Sequence, residues 1–208
     1  MTANIDPGWL DLAFEVEGHA LPRDHRRALA AAVERALPWL ADLPDAGLRL
    51  VHLVPMAAGN QGLWLLSRRS RLQLRVPRRF ADAAAALQGC KLDLSGVPLH
   101  VGSLHTRELR PWHTLHAHLV AADADDEAGF MRQVGAELAQ RGLPGRPICG
   151  RLQQLAGDAL QGYSLMVDGL SPGDSMRLLE QGLGQHRRLG CGVFVPHRST
   201  AAVGAASW

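Results

Sequence analysis

The feature that most constrains the fold is a rhythm that occurs twice along the chain. Residues 10–17 alternate apolar and charged side chains, the period of a half-buried strand. Gly18 and Pro22 predict a turn, and Asp24 is a candidate N-cap for a helix over 25–37, where Leu29, Ala32, Val33, Ala36 and Leu37 recur at helical spacing. Strands are predicted over 48–54, 62–67 and 71–76, and an alanine-rich helix over 78–87. A hairpin joins 91–94 to 97–101 across Ser95-Gly96. The second half repeats the order. A strand over 114–121 precedes a helix over 125–141 with Phe130, Val134 and Leu138 on one face. A hairpin follows, 148–155 with 161–167 through Gly157-Asp158. A helix capped by Ser171 with Pro172 at its first position then runs to Gln181, and a strand over 192–195 ends the pattern. Each half reads β-α-β-β-α-β, so the expected class is α+β with tandem ferredoxin-like domains. The expected boundaries are 1–110, with extra strands, then 111–196, then a flexible and dispensable tail over 197–208.

Composition narrows the functions available. The chain has 208 residues and 47% hydrophobic content, enough for two cores, but only 5% aromatics. Stacking of bases on aromatic platforms therefore cannot dominate any nucleic-acid binding. The formal net charge is +2, and Lys91 is the only lysine beside 21 arginines. A GC-rich genome produces that bias, and it leaves positive charge on planar forks that suit phosphate. Cys90, Cys149 and Cys191 are odd in number and lack metal-ligand spacing, so reduced thiols and a cytoplasmic location are expected. The first residues carry no signal-peptide pattern, and no apolar run is long enough to span a membrane.

A glycine-rich segment precedes the last strand. Gly182, Gly184, Gly190 and Gly192 bracket His186-Arg187-Arg188. Glycine permits positive φ and close approach of backbone to a ligand. The spacing G-x-G-x5-G-x-G followed by a strand matches neither a dinucleotide fingerprint nor a P-loop. It reads as an anion cradle, and a Cβ at Gly190 or Gly192 is expected to weaken what the loop binds.

On these residues the chain resembles a known family. Gly162-Tyr163-Ser164-Leu165 and Gly169-Leu170-Ser171 lead into Asp174-Ser175-Met176-Arg177-Leu178, and Gly190-Cys191-Gly192-Val193-Phe194-Val195-Pro196 is the most specific piece. Leu21-Pro22-Arg23-Asp24-His25 and the segment 70–77 add to it. They resemble the CRISPR-associated endoribonucleases that cut precursor guide RNA within each repeat, the sixth Cas family of the RAMP superfamily, in its myxobacterial-type variant. The resemblance implies metal-independent cleavage by the ribose 2′-hydroxyl, giving a 2′,3′-cyclic phosphate and a 5′-hydroxyl. It implies CRISPR repeat RNA and guide RNA as ligands, other effector-complex subunits as partners, no cofactor, and no need for DNA or a membrane.

Such a reaction needs a base, an acid and cations, and histidine suits the proton transfers. His25, at the start of the first helix beside Arg23, Arg26 and Arg27, is the first candidate for the base. His19 is a candidate for the base or for a second proton carrier. His52, read as mid-strand, fits a packed structural histidine better. Candidate phosphate contacts are Arg68, Arg69, Arg71, Arg75, Arg78 and Arg79, together with His186, Arg187 and Arg188 of the loop. Tyr163 reads as structural. His113, His116 and His118 have no Cys, Asp or Glu within their run to complete a metal set, and read as strand-surface residues. Two other readings stand beside the nuclease: a non-catalytic RNA-binding RAMP subunit, and a small-ligand or protein-interaction module on the same scaffold.

Overall fold

Alternation along β1 (Trp9–Glu17) buries Leu10, Leu12, Phe14 and Val16 on one face. The computed structural model describes residues 8–22, 25–55, 63–123, 126–154 and 160–197. The chain divides into two compact units, Met1–Glu108 and Leu109–Trp208. The first unit continues with β2 (Ala20–Pro22), α1 (Arg26–Ala36), β3 (Gly47–Val51), β4 (Val54–Pro55), β5 (Leu63–Leu65), β6 (Arg71–Pro77), α2 (Ala81–Ala84), β7 (Lys91–Leu94) and β8 (Val97–Glu108). The second holds β9 (Leu115–Ala121), α3 (Glu127–Gln140), β10 (Arg146–Gln154), β11 (Gln161–Asp168), α4 (Pro172–Gln181) and β12 (Phe194–Pro196).

The first unit builds a five-stranded sheet in the order β3-β6-β1-β8-β7, with every neighbour antiparallel. The pairs Leu12↔Leu74 and Leu48↔Leu74 put apolar residues of three strands in one row. Leu29, Ala30, Ala32 and Val33 of α1 are buried with them, and each large apolar side chain so buried contributes about 1.5–3 kcal/mol. Edge strand β7 and a second, three-stranded sheet, β2-β5-β4, are the additions to the ferredoxin-like plan. The second unit is the plan without additions, a four-stranded sheet in the order β10-β11-β9-β12. Phe130 of α3 stacks on Tyr163 of β11 at 4.7 Å, which makes Tyr163 a core residue. Both helices of this unit start on side-chain caps. Asp126 accepts from Gly129 N, and Ser171 accepts from Asp174 N with Pro172 in the first turn. Tandem ferredoxin-like domains are thus the fold.

Local expectations fail where tertiary pairing intervenes. Residues 20–22 form β2, where Gly18 and Pro22 suggested only a turn. The strand expected over 48–54 breaks at His52, whose φ is +60°, because the chain leaves one sheet there and enters the other. Residues 78–87 form no continuous helix: α2 is four residues long between two 3-10 turns. The N-cap of α1 is His25, without a side-chain capping bond. Asp24, Arg23, the turn at Gly157-Asp158 and the tail beyond His197 lie outside the described residues. No helix among the described residues is long and apolar enough to cross a membrane.

Candidate functional site

The turn from β2 into α1 places His25. Its backbone N–H points at the Pro22 carbonyl (3.2 Å), and its own carbonyl accepts from Leu29 N (2.8 Å) to open the helix. The ring Nδ1 lies 2.8 Å from the same Pro22 oxygen. A carbonyl oxygen carries no proton, so Nδ1 donates and the neutral ring keeps its lone pair on Nε2. In that tautomer Nε2 is the ring's basic nitrogen. His25 is buried, so it is not the solvated surface residue that a basic helix start would suggest. Arg26 is half-buried and Arg27 exposed in the first turn of α1, where the helix N-terminus adds its own preference for anions.

The remaining histidine candidates differ in setting. His19, between β1 and β2, is exposed. His52 is exposed and left-handed, not packed mid-strand. Its carbonyl accepts from the Ser70 hydroxyl (3.0 Å) and the Ser67 hydroxyl (3.3 Å), which hold the turn carrying Arg68 and Arg69. Both of those arginines are exposed.

Other arginines are engaged within the fold. Arg75 is 2% exposed and makes a two-bond ion pair with Asp11 at 2.7 and 2.8 Å, so it is a structural residue and not a phosphate contact. Arg71 folds back on the carbonyls of Arg68 and Ser70 and faces Glu15 at 3.4 Å. Arg78 pairs with Glu108 at 2.7 Å. Arg79 is exposed and covers Phe80, which stacks on Trp39.

In the second unit the glycine-rich segment is packed on the protein itself. Arg187, 3% exposed, donates to the Glu180 carbonyl (3.1 Å), which removes it from the surface contacts expected of it. Glu137 of α3 accepts the Gly184 N–H on both oxygens (3.1 Å each) and binds Arg141, which in turn donates to the Gly182 carbonyl (2.9 Å). A Cβ on Gly182 would sit 1.6 Å from an Arg187 nitrogen, and one on Gly192 would sit 1.9 Å from the Leu183 carbonyl oxygen. The close approach that these two glycines permit is therefore to the chain's own groups. What the loop offers outward is Gln185 and His186, both exposed, with Arg188 half-buried. Glu137 and Arg141 escaped notice in the sequence; their i,i+4 spacing announces a helix pair but not the loop it holds.

His116 and His118 share a face of β9, with ring centroids 4.9 Å apart, and His197 lies 5.7 Å from His116. Among the described residues, no group of three or more His, Cys, Asp or Glu is arranged to hold a metal ion. Below that row Asp168 accepts from Thr114 Oγ1 (2.7 Å) and Arg146 (3.0 Å) and faces His113 (3.4 Å). The Thr114 hydrogen bond, then Arg146 and His113, hold its carboxyl below the usual carboxylate range.

Comparison with known proteins bears on all of this. The family profile described as Cas6 Crispr matches residues 10–199. The CRISPR-associated endonuclease Cas6 of Myxococcus xanthus (strain DK1622) is 32% identical over 198 residues, covering 94% of this chain and 84% of its own length. Among solved structures, the product of a Cas6-related gene from Pyrococcus furiosus aligns with a TM-score of 0.62 at 12% identity, over 90% of this chain and 98% of that one. A RAMP protein described as binding different RNA substrates aligns at 0.59 and 13% identity, over 89% and 98%. At such identities the structures establish the fold alone. The profile, which spans nearly the whole chain, and the Myxococcus relative establish more: the chain belongs to the Cas6 family.

Proposed function

We propose that the chain processes precursor CRISPR RNA by cutting within its repeats and hands the guide RNA to an interference complex. The observation that carries the reading is His25, whose Nδ1 lies 2.8 Å from the Pro22 carbonyl at a helix N-terminus with Arg26 and Arg27 in the first turn. Nε2 of His25 takes the proton of the ribose 2′-hydroxyl as that oxygen bonds to the adjacent phosphorus. The imidazolium returns the proton to the 5′-oxygen as the P–O5′ bond breaks. The products are a 2′,3′-cyclic phosphate and a 5′-hydroxyl. The nucleophile comes from the RNA and the proton carrier from the protein, so the step requires no metal ion. Membership of the family and the endonuclease activity named for the Myxococcus relative support this reading.

The test is single-turnover cleavage of a repeat RNA by excess enzyme in EDTA. His25→Ala is expected to bind the RNA and to lose about two to four orders of magnitude in rate. A 2′-deoxyribose at the cut nucleotide is expected to abolish cleavage. A strict need for Mg²⁺, or cleavage of the deoxy substrate, defeats the mechanism. A wild-type protein that binds repeat RNA without cutting it is a non-catalytic RNA-binding subunit instead.

A further inference from the structure

Three short stretches of the first unit, besides the segment with α1, carry the chain between its two sheets: residues 18–19 from β1 to β2, 52–53 from β3 to β4, and 66–70 from β5 to β6. The structure joins them. Gly18 lies against Leu66, where a Cβ would come within 2.8 Å of the Leu66 side chain. Leu66 N donates to the His19 carbonyl (3.4 Å). The Ser67 and Ser70 hydroxyls donate to the His52 carbonyl, and Ser70 also receives Ser67 N (2.9 Å) while Ser67 receives Arg69 N (3.2 Å). Residues from three separate parts of the sequence therefore meet at one junction. It displays His19, His52, Arg68 and Arg69, all exposed.

Four observations make this more than a solvated basic face. These crossing residues include no acid. The arginines that follow are matched, Arg71 with Glu15, Arg75 with Asp11 and Arg78 with Glu108. Among the described residues the Arg68 and Arg69 guanidinia make no ion pair or hydrogen bond. Finally, the turn that carries them is held from within. Ser70 is 0% exposed, and the backbone at His52 adopts a left-handed conformation that brings its carbonyl to both hydroxyls. Holding a turn rigid lowers the entropy lost when its side chains engage a ligand.

We propose that this junction is a seat for the phosphodiester backbone of the RNA, separate from the scissile phosphate. The two guanidinium forks bind phosphate oxygens, and the two imidazoles donate to the same strand. β2 joins the seat to the catalytic turn: from His19 to Pro22, whose carbonyl holds His25, is three strand steps, about 10 Å. One RNA strand reaches both. The inference rests on the RNA reading above.

The experiment measures Kd for a repeat RNA carrying a 2′-deoxy cut nucleotide, across a range of salt concentration. Arg68→Ala/Arg69→Ala is expected to bind at least about tenfold more weakly. The slope of log K against log salt should be shallower by about 1.4, at about 0.7 per lost single-strand phosphate contact. Ser67→Ala/Ser70→Ala keeps both charges and loses the clamp, so its affinity should fall with the slope retained. The control is Arg110→Ala/Arg132→Ala, which removes two exposed arginines elsewhere and should leave affinity and slope at wild type. Wild-type affinity and slope in Arg68→Ala/Arg69→Ala overturn the seat and leave the nuclease reading standing. An equal loss in the control also overturns it, since net charge then explains the effect. A wild-type protein that binds no RNA overturns both readings.

Discussion

Replacing Gly192 by alanine separates a loop built around a ligand from a loop packed on itself. Gly192 has φ +63°, its N–H donates to the Leu119 carbonyl (2.7 Å), and its carbonyl accepts from Leu183 N (3.2 Å). An added Cβ would stand 1.9 Å from the Leu183 oxygen, so the two segments must part by roughly 1 Å to reach the closest real Cβ contacts. The left-handed backbone costs alanine about 1–2 kcal/mol. Forced repacking adds about 1–3 kcal/mol, and the strained Leu183–Gly192 hydrogen bond about 1 kcal/mol more. The expected loss is about 3–6 kcal/mol. Gly142, in the same unit, supplies the control: φ is +59°, and nothing lies within 4 Å of its would-be Cβ. Gly142→Ala is therefore expected to cost only the backbone share, about 1–2 kcal/mol. For a unit of this size each kcal/mol moves Tm by about 4–8 °C. Scanning calorimetry should place the second-unit transition of Gly192→Ala at least about 4 °C below that of Gly142→Ala. Equal midpoints, with RNA affinity lost only in Gly192→Ala, would refute the packing argument and return the glycine to a ligand-facing role.

Other outcomes follow from the same geometry. Arg75→Ala strands the Asp11 carboxylate and is expected to cost about 3 kcal/mol in chemical denaturation; weaker RNA binding at unchanged stability would make Arg75 a ligand contact after all. Asp168 is held below its ordinary pKa in the folded state, so its contribution is complete above the unfolded value near 4 and fades as pH falls through the folded one. Thr114→Val should lower Tm by a constant amount from pH 5 to 8, with the gap closing below pH 4; a gap that widens in acid contradicts this. Burial, then Glu127, raises the Cys149 thiol to about 11. Its alkylation by iodoacetamide at neutral pH, followed by mass spectrometry, should be roughly a hundredfold slower than that of an ordinary cysteine, and labelling at the ordinary rate would disprove the burial effect.

How far the fold could be read in advance follows from the range of the forces involved. Strand alternation in β1 and β9, the Ser171-Pro172 start of α4 and the Ser95-Gly96 turn are set by residues a few positions apart, and each stands where the pattern put it. The helix expected over 78–87 failed because alanine propensity is a weak preference that tertiary context overrides. Of the small sheet only β5 was legible, inside the strand expected over 62–67; β2 and β4 are three and two residues long, too short to show a period.

The sequence by itself determined the order of the ferredoxin-like elements, their duplication, the glycine-rich loop before the last strand, and His25 at the head of the first helix. It could not determine which arginines face solvent. Arg75 is withdrawn by Asp11, 64 residues away, and Arg187 by the Glu180 carbonyl, while Arg68 and Arg69 stay outward because Ser67 and Ser70 are clamped to His52. Nor could it show that His19, His52 and residues 67–70 meet. A cluster of like charges has the same local pattern whether its members pair internally or await a ligand. Only the packing of distant strands supplies or withholds the counter-charge.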